Sequence, residues 1–477
     1  MIFNSIEYIL FLPIVIILYY TLPYRFRWVL LLLASYIFYM VWNVKYIALI
    51  IFSTLLDYIV AILMEKKAKY KKKLLCISLL SNLGILFFFK YFNFFADSMF
   101  NLVTLFGFER PNFYLNFLLP MGISFYTFQT LSYTIDVYKG ERKAERHLGY
   151  FALYVTYFPQ LVAGPIERSD RLLPVLQRKS KLEFKNITTG LLLMACGFFK
   201  KVIIADRLAV VVDNIFSNYT YYTGIYLVIA MVFFTVQIYC DFSGYSLIAR
   251  GSAKLMGHDL MINFKYPFFS KSIKEFWSRW HISLSTWFRD YVYIPLGGGK
   301  KGRLVTYRNI LIVFLLSGLW HGASFTFVLW GLLNGIWQIF EDIILRIRKS
   351  IKIEGNIIPD IIKVVFTFFL TTLFFTIFRA TDLNQALYII SYALENNFYA
   401  LFDGSIYTLG LEKMDFIVAI FAVFLLFFVE FFRYDSNKDL IKGDFEKGLV
   451  AILLFLIVIV FGFYGEYDAS SFIYFQF

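Results

Sequence analysis

Long apolar runs separated by short polar breaks set the pattern of this chain. Segments at about 8–22, 28–43 and 46–64 are apolar over most of their length. Later runs extend from about Leu304 to His321 and from Gly448 to Phe463. Runs of this kind reach the ~20 residues a helix needs to cross a bilayer. The pattern predicts an all-α polytopic membrane protein with about 11 transmembrane helices. Two stretches depart from it. Segments 148–165 and 276–299 are apolar and aromatic, yet broken by Pro, Gly, Arg, Asp and His. Basic residues flank 148–165 on both sides: Arg142, Lys143 and Arg146 before it, Arg168 and Arg171 after it. A simple crossing would put one group on the outer face. Both stretches are expected to be re-entrant or tilted helices buried in protein, where irregular backbone is tolerated at membrane depth. No repeat or low-complexity linker divides the chain, so a single membrane domain over 1–477 is expected.

Composition sharpens this reading. Charged residues are 17% of the chain, against roughly 25% in soluble domains, which excludes a disordered chain and disfavours a soluble enzyme. The net charge of +13 lies between apolar runs, where the positive-inside rule and anionic lipid explain it better than nucleic acid does. The cluster Glu65-Lys66-Lys67-Ala68-Lys69-Tyr70-Lys71-Lys72-Lys73 is expected in the cytoplasm, with Arg25 and Arg27 on the same side and the N-terminus outside. Arg433, Lys438, Lys442 and Lys447 form a second cytoplasmic segment. The tail 465–477 carries only Glu466 and Asp468 and is expected outside, as is the acidic stretch 381–413. The N-terminus has neither a basic n-region nor a cleavage site and reads as a retained first helix. Cys76, Cys196 and Cys240 lie in apolar runs and read as small core residues.

Four histidines are the first candidates for chemistry. His147 and His258 lie in loop-like sequence and are expected to be solvated. His281 and His321 are embedded in aromatic, apolar sequence, where an ionisable group is costly and marks function by default. The competing reading is a hydrogen-bonded core histidine that ties helices together. Around His321, Gly318 and Gly322 allow close approach of a helix or a substrate chain, and Trp320 supplies an apolar wall with one donor. A histidine titrating near neutrality suits proton transfer in acyl transfer. Asp241, in Asp241-Phe242-Ser243-Gly244-Tyr245-Ser246, is a candidate to orient a histidine or to pair with Arg289; the plain alternative is a helix C-terminal turn at the interface. No G-x-S-x-G elbow is present, Gly297-Gly298-Gly299-Lys300 lacks P-loop order, and the histidines have no metal-ligand spacing.

Taken in order, these motifs resemble the membrane-bound O-acyltransferase (MBOAT) superfamily, in its bacterial alginate and peptidoglycan O-acetylation branch. The resemblance runs from Phe3-Asn4-Ser5 and Phe11-Leu12-Pro13 through Pro120 to Gln129, Asp136-Val137-Tyr138 and Tyr157 to Ile166. It continues through Asp241 to Ser246 and is densest from Phe276 to Gly298, with Arg279-Trp280-His281 and Trp287-Phe288-Arg289-Asp290-Tyr291. It closes on Trp320-His321-Gly322. Leu247 stands where relatives carry Asp, which argues against a second catalytic carboxylate there. The resemblance implies helices ringed around a central pore, with His321 catalytic and His281 a second functional histidine. Trp320, Gly322, Trp280, Arg289, Asp290 and Asp241 would support the pore or the site. It implies no bound cofactor, acetyl-CoA as cytoplasmic acyl donor, and a location in the bacterial inner membrane. It further implies an extracytoplasmic acetyltransferase or esterase-like partner protein and a polysaccharide as final acceptor.

The alternative is a lipid-linked sugar transporter or flippase, which should show repeat symmetry; the broken elements instead cluster centrally with the histidines. The tail Phe472-Ile473-Tyr474-Phe475-Gln476-Phe477 is too aromatic for a free polar terminus. It reads either as an interfacial anchor or as an acyl relay through the Tyr474 hydroxyl. The relay reading draws on a resemblance to the aromatic C-terminal motif of small membrane proteins in teichoic acid D-alanylation.

Overall fold

The computed structural model describes residues 1–107, 114–115, 117–162, 164–351, 358–436, 441, 443–462 and 472. Every regular element among these residues is helical. They form two compact units: Met1–Ile187 with Ser252–Met261, and Thr188–Gly251 with Ile262–Phe477.

The first unit contains α1 (Ile6–Thr21), α2 (Tyr24–Met40), α3 (Ile47–Lys66), α4 (Lys71–Leu86), α5 (Phe92–Thr104), α6 (Ile123–Lys139), α7 (Leu148–Thr156), α8 (Phe158–Leu161) and α9 (Ser169–Leu176). Its centre is polar where lipid-facing sequence would be apolar. Helix α6 buries Ser124, Thr127, Gln129, Thr130, Ser132, Thr134 and Asp136. Asp57 on α3 is fully buried and accepts hydrogen bonds from Ser78 and Asn82 on α4. Buried polar groups are tolerable only when bonded in this way. The stretch 148–165 is broken as expected. At Tyr157 the backbone leaves the helical region (ψ 109°), and Pro159 opens the four-residue α8. At nine residues α7 is about 14 Å long, half of what a crossing needs.

The second unit begins within α10 (Phe184–Phe198), at Thr188, and continues through a π-helical turn at Phe199–Ala205 and α11 (Asp206–Ser217). Next come α12 (Ile225–Leu255), which belongs to this unit as far as Gly251, α13 (Ile273–Arg279), α14 (Ile282–Phe288) and a further π-turn at Arg289–Tyr293. The long helices α15 (Arg303–His321), α16 (Phe325–Ser350) and α17 (Asp360–Arg379) follow, then α18 (Leu383–Tyr392), α19 (Lys413–Ser436) and α20 (Asp444–Gly462). Helices α10 and α12 cross where glycines meet. A Cβ on Gly197 would lie 2.6 Å from the Gly244 carbonyl, and one on Gly251 would lie 2.6 Å from that of Gly190. Small residues permit this approach where no hydrophobic force drives helices together.

Nine helices among the described residues are long and apolar enough to cross a membrane. Helix α1 is apolar but 16 residues long, and the 17-residue α2 carries Arg25 and Arg27 in its first turn. The chain is a multi-pass membrane protein. Of the cysteines expected in the core, Cys240 is buried and Cys196 half-buried, but Cys76 is exposed on α4. On a membrane-spanning helix, an apolar neighbourhood in sequence does not mean burial inside the protein.

His258 corrects a second expectation. It is not a solvated loop residue but is fully buried. Its Nε2 lies 3.2 Å from the Tyr19 hydroxyl and its Nδ1 lies 2.7 Å from the Tyr157 hydroxyl. Burial lowers its pKa to about 4, helped by the charge of Arg178. The partners are 239 and 101 residues away in sequence, so local sequence gave no sign of them. His147 is exposed as expected, and its Nδ1 accepts from the Tyr150 amide at the start of α7.

Candidate active site

The second unit brings the two apolar-embedded histidines together around one tryptophan. His321 is the last residue of α15, and Gly322 breaks the helix with extended backbone (φ −165°, ψ 159°). His321 and Trp320 are both 3% exposed. The His321 ring lies edge-on to Trp320, Trp330 and Phe378, with centres 5.0, 5.1 and 5.3 Å away. His281 lies 5.9 Å from Trp320 and 4.7 Å from Phe242, ring centre to ring centre. Trp320 is thus a shared wall between the two imidazoles.

The glycines serve helix packing. A Cβ on Gly318 would strike the backbone of Phe327 at the start of α16, and one on Gly322 would strike the Phe327 ring. Of the two occupants considered from sequence, it is a helix that fills this space. Trp330 is fixed behind His321 by Trp277, 5.5 Å away, whose indole N–H donates to the Asn334 Oδ1 at 3.0 Å.

His281 sits at the break between α13 and α14. Its backbone is left-handed (φ 45°, ψ 52°) and it heads α14. Only Tyr266 shares a positive φ among the described non-glycine residues. Such conformations cost ~1–3 kcal/mol and persist where surroundings enforce them. The enforcement comes from Asn263. Its carbonyl accepts from the Ile282 amide at 3.0 Å. Its side-chain oxygen accepts from the Ser283 amide at 3.1 Å and the Ser283 hydroxyl at 2.8 Å, and lies 3.3 Å from His281 Nδ1. Trp280 is buried on the other side, packed on Phe276, Phe375 and Phe264 at 5.3, 5.1 and 5.0 Å.

Two expected partnerships do not form. Asp241 is not at a helix end but well inside α12, 2% exposed, and pairs with Lys201 at 2.7 Å. Arg289 pairs with its neighbour Asp290 at 2.8 Å, with 60% of its side chain exposed. An exposed guanidinium gains little from such a pair, whereas a buried carboxylate requires a cation; Lys201 meets that need. Tyr474 lies outside the described residues. Phe472 of the same tail is described and buried, 4.5 Å from the Tyr245 ring and 5.7 Å from that of Phe242.

The charges around the π-turn at Phe199–Ala205 went unread in the sequence. Lys201 also pairs with Asp206 at 2.8 Å. Lys200 pairs with Glu430 at 2.8 Å, and Glu430 accepts from Tyr239 at 2.6 Å. Arg207 pairs with Asp415 at 3.2 Å. The available signal was Lys200-Lys201 inside an apolar run, followed by Asp206-Arg207. Paired charges at membrane depth and a π-bulge both mark functional regions.

Comparison with known proteins adds the chemistry. The profile of the membrane-bound O-acyltransferase family (MBOAT) matches residues 145–379, which include every histidine. The chain is 44% identical over 393 residues to a probable alginate O-acetylase of Pseudomonas putida, covering 81% of this chain and 79% of the relative. It is 36% identical to a peptidoglycan O-acetyltransferase of Helicobacter pylori, covering 76% and 72%. It is 29% identical to a teichoic acid D-alanyltransferase of Bacillus subtilis, covering 54% and 68%. The broken, histidine-bearing helices and these matches agree: the chain belongs to the membrane-bound O-acyltransferase family and is an acyltransferase.

Proposed function

We propose that the protein takes an acetyl group from a cytoplasmic thioester, acetyl-CoA, and passes it across the membrane for O-acetylation of a cell-envelope or secreted polysaccharide. The observation that carries this reading is the buried His321, walled by Trp320, Trp330 and Phe378, with the His281 ring in contact with the same Trp320 indole. His321 takes the proton of the acceptor hydroxyl as its oxygen attacks the thioester carbonyl. The C–O bond forms and the C–S bond breaks. The imidazolium then returns the proton to the leaving thiolate, so ester and free thiol are the only products. The apolar rings exclude water, which would otherwise compete as acceptor.

The names of the relatives support a polysaccharide acceptor, alginate or peptidoglycan among them. A membrane-fixed site cannot follow a long polymer, so an extracytoplasmic acetyltransferase or esterase-like partner receives the group. Tyr474 is the proposed acyl relay. Its neighbour Phe472 reaches Phe242, which touches the His281 ring, and this contact supports docking of the tail near the histidines. In this reading the N- and C-termini lie outside the bacterial inner membrane, and the donor reaches the site from the cytoplasm. Labelled acetyl-CoA supplied only to the cytoplasmic face of sealed vesicles should acetylate the acceptor. Efficient transfer from donor confined to the outer face contradicts this orientation. Tyr474→Phe keeps the bulk of an anchor and removes the hydroxyl; loss of polymer acetylation at normal membrane levels supports the relay, and full activity removes it.

A further inference from the structure

The loop that precedes α13 runs beside the break that carries His281. Lys265 N–H donates to the Arg279 carbonyl at 2.9 Å, and Ile282 N–H donates to the Asn263 carbonyl at 3.0 Å. Between these two bonds the Asn263 side chain turns in towards His281. Asn263 is 1% exposed and His281 is 0% exposed. Which end of the amide faces the imidazole is fixed by Ser283. A backbone N–H only donates, and Ser283 N–H points at the same Asn263 atom, so that atom is the oxygen Oδ1. An amide oxygen only accepts. The imidazole nitrogen 3.3 Å from it, Nδ1, therefore carries the proton. In a neutral ring the lone pair is then on Nε2.

We propose that Asn263 is the positioning residue for His281: it holds the proton on Nδ1 and the ring in its left-handed turn, which makes Nε2 the atom that accepts a proton or a hydrogen bond from substrate. This inference rests on the acyl-transfer reading above and assigns that reading a tautomer and a residue. One residue engages three consecutive residues, two of them, His281 and Ser283, through its side chain. It receives the His281 ring and both donors of Ser283, while its own carbonyl receives Ile282. A leucine of similar volume would leave the ring free to turn over or to adopt the other tautomer. An aspartate would keep an acceptor oxygen in the same place.

The experiment has two arms. The first reads the tautomer directly. The chain has four histidines, so histidine labelled with ¹⁵N gives few ring signals, and the His281 signals are those lost in His281→Gln. Magic-angle-spinning NMR of the full chain in lipid should show His281 protonated at Nδ1 and bare at Nε2. A ring protonated at Nε2 overturns the inference, whatever the activity. The second arm compares Asn263→Leu with Asn263→Asp at equal membrane levels. Loss of a correctly presented His281 ring should cost about as much as loss of His281 itself, about 10-fold or more in rate. That loss is expected in Asn263→Leu, with activity largely restored in Asn263→Asp. Equal activity of the two variants contradicts a positioning role. Failure of the acyl-transfer reading would show separately, as a wild-type protein that moves no acyl group under any donor arrangement.

Discussion

The rings of His281 and Trp320 lie 5.9 Å apart at 66°, and the same indole meets the His321 ring at 5.0 Å and 82°. The two histidines come from different breaks in the helical pattern, one between two seven-residue helices and one at the end of α15. A substrate chain entering beside Trp320 would meet both. His281→Ala should therefore lower polymer acetylation by about 10-fold or more while membrane levels stay normal. Loss of activity together with collapse of detergent-extracted yield would mean that His281 holds the turn and takes no part in the reaction.

The buried charges make a separate prediction about stability. Removing one partner of a buried pair costs ~3–5 kcal/mol, because the other charge is left uncompensated. Lys200→Met leaves Glu430 with Tyr239 alone and should lower the melting temperature in detergent sharply. Lys200→Met combined with Glu430→Gln removes both charges and should recover at least half of that loss. A double variant no more stable than the single one would show that the pair does not couple these positions.

Where His258 sits sets an acid limit for the first unit. An unfolded imidazole titrates near 6.5, and burial holds His258 at about 4 in the folded chain. The folded state thus disfavours the proton. Its stabilisation is complete above pH 6.5 and is lost as pH falls from there towards 4. Thermal unfolding between pH 7 and pH 4.5 should show this decline, and His258→Asn should flatten it. An unchanged slope in that variant would assign the acid sensitivity to other groups.

Much of this architecture is legible in the sequence because lipid imposes a simple rule. Apolar runs near 20 residues give helices, and the two runs containing Pro, Gly and charges fold as short broken helices at 148–161 and 273–293. His321 was legible because an ionisable residue in such a run demands a reason. What was not legible depends on pairing across long separations. Nothing near His258 announces Tyr19 or Tyr157. Arg289 is a natural candidate partner for Asp241 because it stands in a denser motif, whereas its actual partner, Lys201, lies in an apolar run 40 residues earlier. Asn263 is a single polar residue in a loop, and its role appears only when the loop is laid beside the His281 turn.

Packing beside the site gives a further check. The Gly318 position faces the Phe327 backbone, which cannot move aside as a side chain can. Gly318→Ala should separate α15 from α16 and cost ~1–3 kcal/mol, with loss of activity through displacement of Trp320 and His321. Normal melting and activity in Gly318→Ala would show that the two helices do not need this contact.

The central claim is that His321 performs the proton transfer of acyl transfer. Its direct test is acyl transfer by His321→Ala, with labelled donor supplied to sealed vesicles that contain wild-type amounts of folded protein. A positioned general acid–base contributes ~10²–10⁴-fold, so transfer should fall to background while insertion and melting temperature stay near wild type. Acetylation within a few-fold of wild type in that variant would contradict the account.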